Sequence, residues 1–378
     1  MHHLGGLFGL LAGVGLIYQV VAAWAVRRFM GKAPLVPAAR PPVTVLKPLC
    51  GADPGLEAHL ISLLRQGYPE LQVICGVDSE EDAAVPVVRR VMTQFPDADI
   101  SLVVDPTRHG SNLKIGNLLN MLPAARHDLL VIADSDVAAH DLYLDEAVAP
   151  FADPACGLVT FLYVGRALPN LASRLGAAGI NFGFLPSALV ARLVGREDGC
   201  FGATMAMPRQ LLADIGGLQA VRDVLADDWA LGAAVRAAGR KIVLAARPVE
   251  MTVNEPDLAT LFAHEIRWGR TIAAIDRPSY IASIVTLPVP LSLLAVLLGG
   301  WSWLPLVVAA GLLRVAVMRL EEQALDVPGL GVADLFLRDL LSFVLLLTAS
   351  CGRTVLWRGR RFRVERDGKL TLLEGTYR

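Results

Sequence analysis

The sequence predicts an α/β fold with a mostly parallel sheet and flanking helices, joined to transmembrane helices at both ends of the chain. Charge-free apolar runs occur near each terminus, and between residues 43 and 275 short apolar runs alternate with helix-period stretches. This βαβα order is typical of a parallel sheet covered by helices. The chain has 378 residues and is 54% hydrophobic, which is high for a soluble enzyme and favours membrane segments.

The composition argues against several kinds of partner and site. The formal net charge is −1, so no strongly basic surface predicts nucleic-acid binding. The five cysteines are odd in number and contain no Cys-x-x-Cys pair. They indicate reduced thiols in a cytosolic compartment, and they predict neither a disulfide framework nor a zinc site.

The first apolar run predicts an N-terminal transmembrane anchor over residues 1–30. Leu4–Val26 contains no formally charged residue, and its 23 residues in a helix reach about 35 Å, enough to cross a bilayer core. Arg27, Arg28 and Lys32 follow the run, whereas a cleaved signal peptide would carry positive charge before it. By the positive-inside rule we expect the N-terminus outside and the next residues in the cytoplasm.

A cytosolic domain is predicted over residues 40–276, after a linker rich in proline and alanine. Its strand-like runs are Val43–Leu49, Leu71–Val77, Ile100–Asp105, Leu129–Ala133, Gly157–Val164, Phe201–Met207 and Lys241–Ala245. Helix-period stretches lie between several of them, including Gly55–Gln66, Val85–Phe95 and Leu113–Leu122. In such sheets ligands bind beyond the carboxyl ends of the strands.

Residues 277–357 are predicted to form C-terminal membrane segments. The stretch from Pro278 to Leu313 carries no charge and has room for two short spans, or for one span and a re-entrant piece. Leu340–Gly352 is short for a span unless its flanking residues contribute. A basic cytosolic tail is expected over residues 358–378. Its cluster comprises Arg358, Arg360, Arg361 and Arg363.

Two aspartates directly follow the buried run Leu129–Ala133, as Asp134-Ser135-Asp136. Residues two apart on an extended strand point to the same side, so both carboxylates can face one cation. Carboxylates with substrate phosphates are typical ligands of Mg²⁺ or Mn²⁺. The pattern therefore predicts a metal site on Asp134 and Asp136, which would neutralise a diphosphate leaving group. A simple turn or helix cap is the alternative.

Other candidate residues follow strands or begin helices. Asp227 and Asp228 open a helical stretch, where one could cap the helix and the other could act as general base toward a hydroxyl group. Asp78 ends the run Leu71–Val77 and suits nucleotide binding. Lys114 begins a helix between these acidic positions, although its spacing alone favours a solvated lysine.

A further candidate stretch is His264-Glu265-Ile266-Arg267-Trp268, on an amphipathic helix predicted around Leu258–Ala274. The arginine could bind diphosphate oxygens, and the tryptophan could stack on a sugar or lie at the membrane interface. An interfacial arginine and tryptophan without a binding role fit the spacing equally well.

With these residues in place, the chain resembles the ceramide glucosyltransferase family, whose members have a GT-A type fold. The resemblance extends over nearly the whole chain. Its motifs are Val45-Leu46-Lys47-Pro48-Leu49, Gly51, Asp53-Pro54, Leu56, Gly76-Val77-Asp78, Asn112, Lys114, Asn117-Leu118, Asp134-Ser135-Asp136, Gly216-Gly217-Leu218 and Ala226-Asp227-Asp228.

The resemblance implies a role for each matched position. Asp78 would contact the nucleotide, and Asp134 and Asp136 would form the metal-binding pair. Asp228 would be the catalytic base, with Asp227 standing where glutamate is common. Arg267 and Trp268 end the signature Q/R-x-x-R-W. His264 stands at the first position of that signature, where glutamine or arginine is usual. What this position contacts is therefore left open.

The resemblance implies an inverting transfer of glucose or N-acetylglucosamine from a UDP-sugar to the hydroxyl group of a membrane lipid. The composition is similar to that of bacterial members, including a branch associated with polyol hopanoids, so we expect a bacterial inner membrane and a catalytic domain facing the cytoplasm. The acceptor, hopanoid or ceramide, stays open. The alternatives are a polyprenyl-phosphate or polysaccharide glycosyltransferase, and a membrane protein that binds or transports nucleotide sugars.

Overall fold

The computed structural model describes residues 2–197, 199–357, 360–365 and 368–374. The chain divides into two compact units. The sheet unit contains Lys32–Val164 and Glu197–Asn254, and the helical unit contains Met1–Gly31, Gly165–Arg196 and Glu255–Arg378. Two segments of the predicted cytosolic domain, residues 165–196 and 255–276, thus belong to the unit that holds the apolar helices. The predicted domain boundaries at residues 40, 276 and 357 stay predictions.

The sheet unit follows the predicted alternation of strands and helices. Its strands are β1 (Val43–Pro48), β2 (Leu71–Val77), β3 (Ile100–Val104), β4 (Leu129–Ala133), β5 (Val137–Ala138), β6 (Cys156–Thr160), β8 (Thr204–Pro208), β9 (Lys241–Leu244) and β10 (Val249–Val253). Its helices are α2 (Leu56–Leu64), α3 (Ala84–Gln94), α4 (Leu113–Met121), α5 (Tyr143–Val148), α8 (Arg209–Asp214) and α9 (Asp227–Ala237). Strand β7 (Tyr163–Ala167) passes from this unit to the other.

Seven strands form the main sheet in the order β3-β2-β1-β4-β8-β6-β9. The pairs β1–β2, β1–β4, β2–β3 and β6–β9 are parallel, whereas β8 runs antiparallel to both of its neighbours. The prediction of a mostly parallel sheet is therefore confirmed. A short antiparallel pair, β5 with β10, lies outside this sheet.

Alternation along each strand buries both faces of the sheet. On β1, Val43 and Val45 pack with residues of α2 and α3, while Leu46 packs on the other face with Ile115 and Leu118 of α4. Burying one such side chain contributes about 1.5–3 kcal/mol. Because helices cover both faces, polar ligands can approach only at the sheet's edges and strand ends.

Two predicted strands differ from the structure. Gly157–Val164 is divided, because β6 ends at Thr160 and β7 begins at Tyr163. The residues between them are fully buried, so an apolar pattern does not reveal the break. Phe201–Met207 begins only at Thr204. The amides of Phe201 and Gly202 donate instead to the side chains of Thr160 and Asp228, at 2.8 and 2.9 Å.

The helical unit contains the apolar ends of the chain and two stretches from its middle. Its helices are α1 (His2–Met30), α6 (Leu171–Gly179), α7 (Leu185–Leu193), α10 (Leu258–Ile275), α11 (Arg277–Ala282), α12 (Pro288–Gly299), α13 (Leu304–Leu325) and α14 (Val332–Ser350). A π-helical turn, Ile180–Phe184, joins α6 to α7. A three-stranded antiparallel sheet follows, formed by β11 (Thr354–Trp357), β12 (Arg360–Val364) and β13 (Leu370–Glu374).

Among the described residues, two helical stretches are long and apolar enough to span a membrane, His3–Met30 and Trp301–Leu325. A third candidate span is present if two helical stretches that meet at a bend of 78° count as one span. These stretches are Arg277–Thr286 and Pro288–Gly299. Among the described residues from 277 onward there are thus one candidate span and one bent pair of helices. The chain is a membrane protein. Arg358 of the predicted basic tail lies outside the described residues.

Helix α14 carries charged side chains that are paired inside the unit. Asp339 accepts hydrogen bonds from Arg314 of α13 at 3.1 Å, and Arg314 also donates to Gln19 of α1 at 3.2 Å. Arg338 binds both carboxylate oxygens of Glu265 on α10, each at 2.6 Å. These contacts allow Arg338 and Asp339 to be buried, since a buried charge without a partner is costly.

Small residues allow α1 and α12 to approach closely, as is common between membrane helices. A Cβ atom added at Gly5 would lie 2.3 Å from the Cα atom of Gly299, whereas one added at Gly6 would meet no heavy atom within 4 Å.

We expect Gly5→Ala to lower the thermal unfolding temperature of the protein in detergent, because overpacking costs about 1–3 kcal/mol. Gly6→Ala is the matched control. It should leave that temperature unchanged or raise it slightly, since alanine is the better helix former by about 1 kcal/mol. Equal unfolding temperatures for the two variants would contradict the packing of α1 on α12.

Candidate active site

The predicted acidic residues of the sheet unit lie where strands end or helices begin. Asp134 and Asp136 follow β4, Asp78 follows β2, and Asp227 and Asp228 are the first two residues of α9. Strands β2 and β4 flank β1 and are parallel to it, so their carboxyl ends lie at one edge of the sheet. The fold therefore gathers near this edge residues that are far apart in sequence.

Lys114 joins two of the carboxylates. Its Nζ atom is 2.5 Å from Asp134 Oδ1 and 4.0 Å from Asp227 Oδ2. Burial acts to lower the pKa of Lys114, but the charges of Asp134 and Asp227 outweigh it and the pKa is raised. Lys114 is thus a mostly buried, charged member of the group. The alternative of a solvated lysine is wrong. We call Lys114 and the four carboxylates the carboxylate cluster. The four are Asp134, Asp136, Asp227 and Asp228.

Asn112 positions both Lys114 and Asp227. It is the N-cap of α4, where its side chain accepts hydrogen bonds from the amides of Lys114 and Ile115, at 3.0 and 3.2 Å. Its amide group donates to Asp227 Oδ1 at 3.2 Å. The buried Asn112 side chain therefore both caps α4 and holds the Asp227 carboxylate.

Asp227 and Asp228 have different surroundings. Neither is a helix cap, because Ala226 occupies that position and no side chain caps the helix. Asp228 accepts hydrogen bonds from the amides of Gly202 at 2.9 Å and Trp229 at 2.7 Å. Asp227 is buried, and its Oδ2 atom has no hydrogen-bond partner among the described residues.

Burial raises the pKa of three of these carboxyl groups. The pKa of Asp136 rises to about 7 through burial and the charges of Asp134 and Asp53, and that of Asp228 rises to about 6 through burial and the charge of Asp227. Burial likewise raises the pKa of Asp227. A carboxylate with a pKa near neutrality is a better proton acceptor than an exposed one.

Lys47 holds the Asp134-Ser135-Asp136 turn. In the sequence this lysine is only part of a family motif, with no role predicted for it. The Lys47 side chain is fully buried, and Nζ donates to the carbonyl oxygens of Asp134 at 2.8 Å and Val137 at 3.0 Å. Burial lowers the pKa of Lys47 to about 8 against the opposing charge of Asp136. Lys47 reaches the turn because β1 pairs directly with β4.

Two further side chains hold the middle of the turn. Ser135 Oγ donates to Asp53 Oδ2 at 2.5 Å. His59 Nδ1 is 3.1 Å from the carbonyl oxygen of Ser135, and its Nε2 is 3.1 Å from Thr252 Oγ1. Lys47 and Asp53 lie in motifs that carry the family resemblance, which was a usable signal. His59 offered none, since it lies on the buried side of α2.

The remaining predicted residues are not brought into the cluster by any described contact. Asp78 is exposed directly after β2. His264, Arg267 and Trp268 lie on α10 of the helical unit, as the predicted amphipathic helix requires. The His264 and Trp268 rings pack together with centroids 4.2 Å apart.

The cluster has the donor atoms that a hard divalent cation prefers. Asp136 Oδ1 is buried without a hydrogen-bond partner among the described residues, so it can accept a metal ion. Asp134 Oδ1 is already paired with Lys114, which leaves its Oδ2 atom for a ligand. No group of three His, Cys, Asp or Glu side chains in the described part of the chain forms a metal cluster. Two carboxylates therefore fit a cation whose coordination is completed by substrate oxygens.

Comparison with known proteins assigns the chain to a family. The sequence profile of glycosyl transferase family 21 matches residues 7–370. The chain belongs to glycosyl transferase family 21. Its predicted resemblance to the ceramide glucosyltransferases is thereby confirmed.

Ceramide glucosyltransferases of other organisms are similar to this chain over part of their length. Ceramide glucosyltransferase 1 of Caenorhabditis elegans is 27% identical over 280 residues, which are 70% of this chain and 58% of that protein. The ceramide glucosyltransferase of Komagataella phaffii is 32% identical over 146 residues, 35% of this chain and 28% of that protein. The chain thus spans less than two thirds of the length of these relatives.

A solved structure shares the fold. A mannosyltransferase from Pyrobaculum calidifontis, in complex with GDP-Man and Mn²⁺, aligns with a TM-score of 0.52 at 22% identity. The alignment covers 92% of this family 21 chain and 97% of that chain. The predicted α/β fold of GT-A type is confirmed.

We expect Lys47→Met to loosen the turn over residues 134–138. The carbonyl oxygens of Asp134 and Val137 would lose the Lys47 ammonium group as a donor, and a hydrogen bond from a charged group contributes about 1.5–3 kcal/mol. Hydrogen–deuterium exchange of these amides should therefore become at least about tenfold faster. Thr44→Val is the matched control, because Thr44 is buried on the same strand and donates to Gln72 at 2.8 Å. Unchanged exchange in Lys47→Met would contradict the role of Lys47.

Proposed function

We propose that this family 21 chain transfers a hexose from a UDP-sugar to the hydroxyl group of a membrane lipid, with inversion at the anomeric carbon. The observation that carries the proposal is the carboxylate cluster near the carboxyl ends of the parallel strands. It combines oxygen donors for a cation, a mostly buried lysine and a carboxylate suited to accept a proton.

In this proposal Asp134 and Asp136 hold Mg²⁺ or Mn²⁺, and Asp78 contacts the nucleotide. The cation, when bound, neutralises charge on the diphosphate leaving group. The Mn²⁺ and GDP-Man named for the mannosyltransferase of the same fold support a metal and a nucleotide-sugar donor. Lys114 adds fixed positive charge beside Asp134, where the phosphates would lie.

Asp228 is the proposed general base. The lipid hydroxyl oxygen attacks the anomeric carbon, and its proton passes to Asp228 as the bond from that carbon to the UDP oxygen breaks. The bonding pair leaves with UDP. Because the hydroxyl oxygen attacks opposite the departing UDP, an α-linked donor gives a β-linked product. The amides of Gly202 and Trp229 fix the Asp228 carboxylate before the reaction, which lowers the cost of orienting it.

The helical unit supports a lipid acceptor. A lipid keeps its tail in the bilayer, so an enzyme that glycosylates its headgroup must work at the membrane surface, and this chain has candidate spans and the amphipathic helix α10. The related ceramide glucosyltransferases of Caenorhabditis elegans and Komagataella phaffii favour a sphingolipid or another hydroxylated lipid. We propose that Arg267 and Trp268 bind substrate. We also propose that the sheet unit faces the cytoplasm of a bacterial inner membrane.

Asp228→Asn should bind the UDP-sugar with unchanged affinity but lose about 10²–10⁴-fold in kcat, because the amide cannot accept the hydroxyl proton. Product formation is measured by lipid mass spectrometry, with UDP-glucose and UDP-N-acetylglucosamine as donors and ceramide and a polyol hopanoid as acceptors. Asp153→Asn, at an exposed ion pair with Lys241, is the control and should keep full turnover. Full turnover in Asp228→Asn would exclude Asp228 as the base.

The same assay tests the transfer itself. A mass gain on one lipid identifies both donor and acceptor. No gain on either lipid, with UDP-sugar still bound, would exclude both acceptors and favour another, such as a polyprenyl phosphate. If no UDP-sugar binds, the proposal fails.

Chelation with EDTA should abolish turnover, and added Mn²⁺ or Mg²⁺ should restore it. In Asp136→Asn we expect the metal concentration for half-maximal activity to rise at least about a hundredfold, since losing even an outer partner of a metal site costs about 10–100-fold. Titration of Mn²⁺ against intrinsic tryptophan fluorescence checks the affinity without turnover. The same metal dependence in Asp136→Asn as in the unaltered protein would be evidence against this ligand.

A further inference from the structure

The helical unit contains a buried carboxylate, Glu255, that the proposed transfer does not use. Only 8% of its side chain is exposed, and its Oε1 atom is 2.7 Å from Nδ1 of His264 on α10. The hydroxyl group of Ser173 accepts from the Glu255 amide at 2.9 Å and donates to its carbonyl oxygen at 3.2 Å. Asn170, the N-cap of α6, holds Ser173 in turn. The first turn of α6 therefore fixes the Glu255 backbone, whose side chain contacts His264.

The Glu255 contact determines how the His264 ring is presented. A carboxylate accepts but does not donate, so in the neutral imidazole the proton must lie on Nδ1 and Nε2 is left as an acceptor. Nε2 has no hydrogen-bond partner among the described residues, and 35% of the side chain is exposed. The ring packs against Trp268, whose centroid lies 4.2 Å away and which is 36% exposed.

We propose that Glu255 is a positioning residue that, through His264, builds a subsite for a carbohydrate or polyol hydroxyl group on α10. The hydroxyl donates to His264 Nε2, and the carbon face of the same sugar or polyol lies against the exposed Trp268 ring. The substrate part of the proposal rests on the transferase function proposed above. Donor sugar and lipid headgroup share this chemistry, and the experiments below distinguish them.

The family signature has glutamine or arginine at the position of His264, and of these two only glutamine can accept a hydrogen bond, so glutamine is the residue to compare with histidine. A glutamine carries its own acceptor oxygen beside the donor amide and needs no carboxylate to set its proton. A histidine offers an acceptor at Nε2 only if a neighbour holds the proton on Nδ1. Glu255 should therefore matter while His264 is present and cease to matter in the His264→Gln variant.

The first test reads the imidazole directly, in full-length protein labelled with ¹⁵N-histidine in detergent micelles. The His264 signals are assigned by their absence in His264→Gln. We expect a protonated Nδ1 and an unprotonated Nε2, and loss of this preference in Glu255→Gln. Addition of UDP-glucose alone, or of ceramide or a polyol hopanoid alone, should shift the Nε2 resonance for whichever substrate occupies the subsite. A proton on Nε2 in the unaltered protein, or no shift with either substrate, would overturn the proposal.

The second test is a double-mutant cycle on transfer kinetics. Glu255→Gln should lower kcat/KM about tenfold through a raised KM for one substrate, as expected for a lost charge-assisted hydrogen bond. His264→Gln alone should keep kcat/KM within about threefold of the unaltered value, and adding Glu255→Gln to it should cost nothing more. Glu80→Gln, an exposed glutamate paired with Arg89, controls for the loss of a carboxylate.

The outcomes separate the inference from the proposed function. Equal losses from Glu255→Gln in both backgrounds would show that Glu255 acts only on stability and would overturn the inference. A rise in KM for the UDP-sugar assigns the subsite to the donor, and a rise for the lipid assigns it to the acceptor. If no transfer is found with any lipid, the proposed function fails, while the imidazole measurement still decides the role of Glu255.

Discussion

The structure of the sheet unit depends on holding several carboxylates close together, largely out of water, at one edge of a sheet. Each buried charge costs several kcal/mol unless it is paired. Lys114 offsets this cost for Asp134 and Asp227, whose carboxylate oxygens lie 2.5 and 4.0 Å from its Nζ atom. Lys47 adds a second buried positive charge near Asp136, and its ammonium group also donates to the carbonyl oxygens of the strand-end turn. Without the two lysines the remaining carboxylate charges would repel one another, and the turn after β4 would lose the Lys47 contacts with its carbonyl oxygens.

This arrangement follows from strand order. The first strand lies between β2 and β4, so a lysine at its end is directly beside the turn that carries Asp134 and Asp136. The antiparallel β8 lies on the other side of β4, and the chain that leads into it provides the Gly202 amide for Asp228. The residues that can bind a cation are therefore positioned by a strand end, and the residue that can accept a proton is positioned by the segment before β8. Such fixed positions are what a reaction at a diphosphate group requires.

The helical unit solves a related problem with different means. Its charges are matched in pairs, Arg314 with Asp339 and Arg338 with Glu265, and its α1 helix meets α12 through the backbone of Gly5. The pairing allows α14 to bury Arg338 and Asp339, although several of its large apolar side chains are exposed. The buried carboxylate of Glu255 has a hydrogen-bond partner rather than a charged one, since its Oε1 atom lies 2.7 Å from Nδ1 of His264.

The sequence by itself determined the α/β class, the apolar anchor, most strand positions and the acidic residues at the strand ends, because alternation, hydropathy and local spacing are properties of neighbouring residues. It also indicated the helix that carries Arg267 and Trp268. It could not show that Lys114 is mostly buried, that Lys47, Asp53 and His59 hold the Asp134–Asp136 turn, or that Glu255 meets His264. Those contacts depend on which strands and helices become neighbours, and only the tertiary structure decides that, since pairing between distant segments leaves no periodic pattern in the chain.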